Sequence, residues 1–275
     1  MEGSASTPDS TWTPEAVDIV ARACEHYGGM QAWRAIRRLR MVPERLSGLV
    51  PWLKGSGRTF SLPASFEICP RARWTRLVGF PDAEHTGVFE DGAIWIERRD
   101  NATVIARSSE HRQTMTGKKG TRRWLPMDAL YFLGYAAAHY CALPFGLLDA
   151  RLLGVRRMAM AGRATALEVE FPESLHTHSR RQTFYFDAEC NLVRHDYVAE
   201  PVGPWAHGAH FWHRQARVDG MLIALERQVR VRVGSMATPI MALHLTLSHP
   251  EVEYDTAQRA RESVVKGAPR SLESL

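Results

Sequence analysis

From His176 to Val233 the chain reads HTHSRRQTFYFDAECNLVRHDYVAEPVGPWAHGAHFWHRQARVDGMLIALERQVRVRV. This stretch decides the fold, because its apolar residues recur with a period of two rather than 3.6. In RRQTFYFD, Gln182, Phe184 and Phe186 project to one side while Arg181, Thr183 and Tyr185 project to the other. Residues 188–191, AECN, read as a turn, and LVRHDYVA returns with His195 and Tyr197 on one face and Arg194 and Asp196 on the other. A second hairpin, HGAHFWHRQARV followed by MLIALERQVRVRV, turns on Asp219-Gly220, a strong short hairpin signal. Its return strand alternates: Ile223, Leu225, Val229, Val231 and Val233 are expected to face a core, and Glu226, Gln228, Arg230 and Arg232 to face water. Two adjacent antiparallel hairpins therefore carry His195, His207, His210 and His213, with His176 and His178 just ahead of them. Six of the twelve histidines fall in these 58 residues, so any chemistry is to be sought here first.

Outward from this stretch, the composition describes a globular chain. Its 275 residues are 45% apolar, enough for a sizeable core, and 35 basic against 30 acidic residues make a mixed, mildly basic surface. No zinc-finger spacing, RNA-binding aromatic motif or long basic run is present, so nucleic acid is not an expected partner. No run of about 18 apolar residues exists, so no membrane span is expected. MEGSASTPDSTWT lacks a basic region followed by an apolar run, and the expected location is cytoplasmic. Cys24, Cys69, Cys141 and Cys190 are far apart and read as free thiols rather than a metal cage.

The domain reading is a disordered tail over 1–12, one domain over 13–255 and a polar tail over 256–275. Thr13-Pro14-Glu15 opens a helix as N-cap, first-turn proline and first-turn acid, and Gly28-Gly29 closes it. A second short helix is expected over Met30–Arg38, burying Trp33 and Ile36. RTFSL, SFEIC, ARWTRLV, TGVFE, AIWIERR and TVIARS then read as a strand meander, broken by Pro43, Pro51, Pro63 and Pro70. GKKGTRR (117–123) is a basic loop without a phosphate-cradling pattern. Residues 124–153, WLPMDALYFLGYAAAHYCALPFGLLDARLL, are apolar nearly all round, as a helix covering a sheet would be, with a break at Pro144 and His139 as a core histidine paired to backbone. Strand character returns over 156–160 and 164–171. It ends in IMALHLTLSH, which sets Met241, Leu243, Leu245 and Leu247 on one face and His244 on the other.

The stretch ARACEHYGGMQAWRAI resembles the opening helix of the LolA and LolB type lipoprotein-carrier superfamily, and THSRRQTFYFD…RHDY…AH resembles an uncharacterised cytoplasmic branch of it. The resemblance implies an α+β fold: a strongly curved antiparallel sheet, or half-barrel, with N-terminal helices and an apolar helix covering its concave face around an apolar cavity. It brings no shared catalytic motif. The absence of an export signal and a lipidation cysteine departs from lipoprotein transport.

The expected ligand is an apolar or amphipathic small molecule, an anionic one included, held mostly by apolar burial. Three readings of the histidines stand side by side. In the first, cofactor-free acid–base chemistry cyclises, isomerises or hydrolyses that ligand. His195 is then base or acid, Tyr197 its neighbour, and His178 or His210 a second proton donor; Gln182, Phe184, Tyr135 and Trp212 contact the ligand. In the second, His176, His178 and His210 bind a metal. In the third, the rings are structural and the protein is a non-catalytic carrier or sensor. Asp196 is expected to pair with Arg194 or Thr183 rather than to orient His195. No GxSxG elbow supports a serine nucleophile, and Cys190 has no fixed base beside it.

Overall fold

The computed structural model describes residues 12–55, 61–115, 122–158 and 164–255. Residues 1–11 of the expected tail over 1–12, the expected tail over 256–275, residues 58–60 of RTFSL, residues 117–121 of the basic loop and residues 159–160 of the expected strand over 156–160 lie outside the described residues. The opening helix, α1 (Pro14–His26), is capped as its sequence demands: the Thr13 hydroxyl accepts from Ala16 N at 3.3 Å, and Ala16, Ile19, Val20 and Ala23 form its buried stripe. Gly28, at φ 128°, turns the chain into α2 (Gly29–Ala35); a Cβ there would sit 3.0 Å from the Gly220 carbonyl oxygen, so the turn needs glycine twice over.

The second helix stops at Ala35 rather than Arg38, because Ile36 opens β1 (Ile36–Ser47). This strand contains Pro43, which was expected to break the chain. The proline is accommodated beside a register shift between Pro43 and Arg45, where its missing N–H is tolerated. After α3 (Leu49–Lys54) come β2 (Ser65–Cys69), β3 (Trp74–Val78), β4 (His85–Glu90), β5 (Ala93–Arg98) and β6 (Val104–Ser108), the expected meander. Next are α4 (Arg112–Met115) and α5 (Pro126–Ala142), then a short 3₁₀ turn over Phe145–Asp149. The C-terminal strands are β7 (Arg151–Met158), β8 (Ala164–Glu170), β9 (Arg181–Phe186), β10 (Leu192–Val198), β11 (His207–Trp212), β12 (Gln215–Val218), β13 (Met221–Ala224), β14 (Glu226–Val233) and β15 (Met236–Tyr254).

Thirteen strands form one antiparallel sheet in the order β6-β5-β4-β3-β2-β1-β15-β14-β11-β10-β9-β8-β7. Its two halves join where β15 pairs with β1, Leu39 opposite Val252 and Leu46 opposite Leu245. The Asp219-Gly220 turn is where the sequence puts it, but it belongs to a separate two-stranded ribbon, β12–β13. The long hairpin breaks at His213–Arg214 and Leu225, so β11 pairs directly with β14, His210 opposite Val229. Val233, expected to face the core, is 63% exposed at the end of β14.

α5 lies against this sheet with almost every side chain in its first three turns buried. Its start is fixed by Asp128, which accepts from Leu125 N at 2.7 Å, from Arg122 at 2.6 and 2.8 Å, and pairs with His111 at 2.9 Å. The Thr75 hydroxyl of β3 donates to the Gly134 carbonyl at 3.0 Å. A Cβ at Gly134 would run into Phe89 of β4, with Phe89 Cγ only 2.9 Å away, so helix and sheet approach at glycine distance.

Candidate functional site

Tyr135 and Tyr140 of α5 reach His178, and Tyr140 continues to Tyr197 on β10. His178 Nδ1 lies 2.7 Å from the Tyr135 hydroxyl, His178 Nε2 is bonded to the Tyr140 hydroxyl, and Tyr140 donates to the Tyr197 oxygen at 3.0 Å. The only polarity consistent with that last donor runs from Tyr135 O–H to Nδ1, from Nε2–H to the Tyr140 oxygen, and on to Tyr197. The Tyr197 proton is left for whatever stands in front of it.

His195 is held separately. Its Nε2–H meets the Gln182 Oε1 oxygen while the Gln182 amide donates to the Ser179 carbonyl at 2.6 Å, so Nε2 carries the proton and Nδ1 is a bare, buried acceptor. Phe184 stacks on the ring with centroids 4.3 Å apart. Gln182 and Phe184 thus position an imidazole, and both are fully packed. The opposite face of β10 carries Arg194, whose Nε donates to Asp196 Oδ1 at 2.7 Å in a buried pair that also takes the Tyr185 hydroxyl at 3.0 Å. Asp196 turns away from His195, as strand parity requires.

Between α3, α5 and the middle of the sheet lies a cavity of about 110 Å³. That is several times the roughly 10–15 Å³ a single water needs. Its walls are almost wholly apolar, with Phe66, Leu133, Leu243, Leu245 and Leu247 prominent. One end is polar: Tyr140, His178, Tyr197, His210 and Arg227 line it. His210 is 1% exposed, its ring stacks on Trp212 at 4.8 Å, and neither ring nitrogen has a partner among the described residues. Arg227 of β14 is 4% exposed, and its guanidinium lies over the Tyr140 ring at 5.2 Å.

Of the expected site residues, His178, Tyr197 and His210 line this cavity and His195 does not. Tyr135 lines a different cavity, of about 260 Å³, on the side of α5 that faces Arg73 and His176. Trp212 lines a third, of about 30 Å³. His139 is buried as expected, with Nε2 unpartnered. Sequence reasoning missed Tyr140, hidden in an apolar helical run, and Arg227. Arg227 shares its strand parity with Val229 and Val231, and that parity is the signal that would have found it.

The metal reading is corrected. Residues 173–180 turn and bend rather than extend, so the two rings of HTH serve successive turns of α5: His176 Nδ1 lies 2.7 Å from the Tyr131 hydroxyl, and His178 is taken by Tyr135 and Tyr140. Among the described residues no three His, Cys, Asp or Glu side chains converge as a metal-ligand set.

Burial moves the titratable groups of this region away from neutrality, in opposite directions. It pushes His139 down to about 4, and His178, His195 and His210 well below the ordinary imidazole value; the Arg227 charge adds to the shift at His210 and the His210 ring to that at His195. The same burial raises Tyr197, and Tyr135 and Tyr140 well above the ordinary phenol value. At neutral pH the rings are uncharged donors and acceptors.

Comparison with known proteins places this geometry beside two solved structures. One is a LolA superfamily protein from Nitrosomonas europaea, at 9% identity and a TM-score of 0.44, covering 88% of this chain and 95% of that one. The other is a DUF1329 family protein from Desulfovibrio piger, at 12% identity and a TM-score of 0.37, covering 87% and 91%. The likeness is one of fold alone. No family model matches the chain, and no curated protein sequence does. No helix among the described residues is long and apolar enough to cross a membrane.

Proposed function

We propose that this protein binds an apolar or amphipathic small molecule between α5 and the sheet, as a carrier or sensor. The observation that carries the reading is the cavity itself: apolar along its length, with a short polar end. Burial of an apolar tail contributes about 25 cal/mol per Å² removed from water, and the polar end fixes its direction.

The reading includes a sheet that wraps α5 as a half-barrel, and strand spacing supports it. β3 and β10 are six strands apart in the sheet, about 29 Å if it were flat at about 4.8 Å per strand. Yet α5, a cylinder about 10–12 Å across with its side chains, bonds to Thr75 on β3 and to Tyr197 on β10 from positions about 9 Å apart along its axis. A curled sheet accommodates both contacts.

Binding is preferred to acid–base turnover on His195, because that ring stands off the cavity wall and is clamped by Gln182. A general base works best with a pKa near the working pH, and these imidazoles and phenols are displaced from it on both sides. The test is saturable binding of the neutral apolar fluorophore N-phenyl-1-naphthylamine by the full chain. Ala137→Trp, which fills the cavity from α5, is expected to abolish binding while the protein stays folded. Binding that is absent in wild type, or unchanged by the tryptophan in a folded variant, overturns the reading.

A further inference from the structure

We infer that the polar end of the cavity is a carboxylate site, so that the ligand is an amphiphile with an anionic head, a fatty-acid-like chain in chemical class. The inference rests on the binding function proposed above and specifies the head group.

Its centre is Arg227. The residue reaches the interior from β14, between Trp212 of β11 and Leu245 of β15, and is 4% exposed. Nothing in the fold neutralises it: among the described residues no Asp or Glu side chain stands at ion-pair distance, its Nε has no partner, and one guanidinium nitrogen faces the Cys141 sulfur at 4.0 Å. The other buried arginine on these strands, Arg194, has Asp196 beside it. A guanidinium stays protonated at any physiological pH, so it cannot shed its charge as a buried lysine can. A buried charge without a partner is costly to hold, and the structure leaves the partner to be supplied from the cavity.

The neighbours of Arg227 suit the same guest. Tyr197 has a proton that the hydroxyl chain through Tyr140 does not use. His210, uncharged, offers one ring N–H and has no partner for it among the described residues. Tyr140 sits between them, its ring 4.6 Å from that of His210 and beneath the Arg227 guanidinium at 5.2 Å. A carboxylate has two oxygens and about four lone-pair positions, which matches a forked guanidinium and two single donors. An ammonium head would meet a fixed positive charge, and an alcohol would leave that charge unpaired. Apolar walls run from this end towards Leu243, Leu245 and Leu247, where a hydrocarbon chain belongs.

The experiment holds the tail constant and changes the head. Decanoate, decan-1-ol and decylammonium are titrated by calorimetry into the full-length protein and into Arg227→Met, which keeps the bulk of the side chain without its charge. In wild type decanoate is expected to bind at least tenfold tighter than decanol, with decylammonium weakest; in Arg227→Met acid and alcohol are expected to fall within threefold of each other. Equal binding of acid and alcohol by wild type overturns the carboxylate site and leaves the apolar-binding reading standing. Failure of all three to bind while the fluorophore is also excluded overturns both. Should Arg227→Met not fold, the wild-type series of heads decides the question alone.

Discussion

Lowering the pH from 7.5 to 5.5 should destabilise this protein steeply. His139, His178, His195 and His210 are buried and hold folded-state pKa values below the ordinary one, to about 4 for His139 and well below 6.5 for the others. For an imidazole depressed in the folded state, stability is fully present above the unfolded pKa of about 6.5. It drains away as the pH falls from there towards the folded value, because the unfolded chain takes up protons that the buried rings refuse. Integrated from pH 7.5 to 5.5, each ring that stays neutral costs about 1.4 kcal/mol, and four cost about 5.5 kcal/mol. That is comparable to the whole stability of many domains, about 5–15 kcal/mol. Asp128, Glu170 and Glu226 have lowered pKa values and stay ionised throughout this window. The assay is urea unfolding followed by tryptophan fluorescence at half-unit pH steps. The free energy should fall with a limiting slope near four protons, and His139→Phe should remove about one of them. A loss of 1 kcal/mol or less over the two units would mean that the folded protein admits protons to these rings, and the neutral cluster would be refuted.

Tyr140→Phe deletes the hydroxyl that joins His178 to Tyr197 and strands a buried N–H, for an expected loss of about 1–3 kcal/mol in urea unfolding; no loss would mean water takes its place. Asp196→Asn leaves the Arg194 charge buried without compensation and should cost about 3–5 kcal/mol, with Arg194→Met added to Asp196→Asn recovering part of it; a silent Asp196→Asn would show that the pair is hydrated. Gly134→Ala sets two effects against each other. Helix propensity favours alanine by about 1 kcal/mol, but the new methyl runs into Phe89, and overpacking costs about 1–3 kcal/mol. The melting temperature should therefore fall, and a rise would show that α5 has room to move off β4.

What the sequence declared and what it hid divide along a physical line. Helix α1 carries its own cap, proline and closing glycines within seventeen residues, and the strand faces of β9 and β10 follow from parity; both are local and both are as read. Pro43 argued locally for a break, but β1 is held on both sides by β2 and β15, and pairing with distant strands outweighed the local signal. The hairpin after His207 split for a similar reason. β11 and β14 pair only to Trp212 and Arg227, and β12–β13 peels off as its own ribbon beneath Tyr27, whose carbonyl accepts from Leu222 N at 3.1 Å. No short window of sequence contains that contact.

The histidines show the same division at the level of function. Their density drew attention to strands that line the cavity's polar end, and parity put His195, Tyr197 and Gln182 on the face turned to α5. It could not say which of them meets empty space, because α5 decides that. His195 and Gln182 close on each other, and Tyr140 from α5 takes up His178 and Tyr197. What remains facing the cavity, among the described residues, is one imidazole without partners, one arginine without a carboxylate and the unused proton of Tyr197. A polar group already satisfied within the fold has little left for a guest, so the proposed carboxylate site rests on the groups that are not: Arg227, His210 and the spare proton of Tyr197. The neutral imidazoles and phenols around them leave that end of the cavity charged at one point, where a single negative charge on the ligand would be worth most.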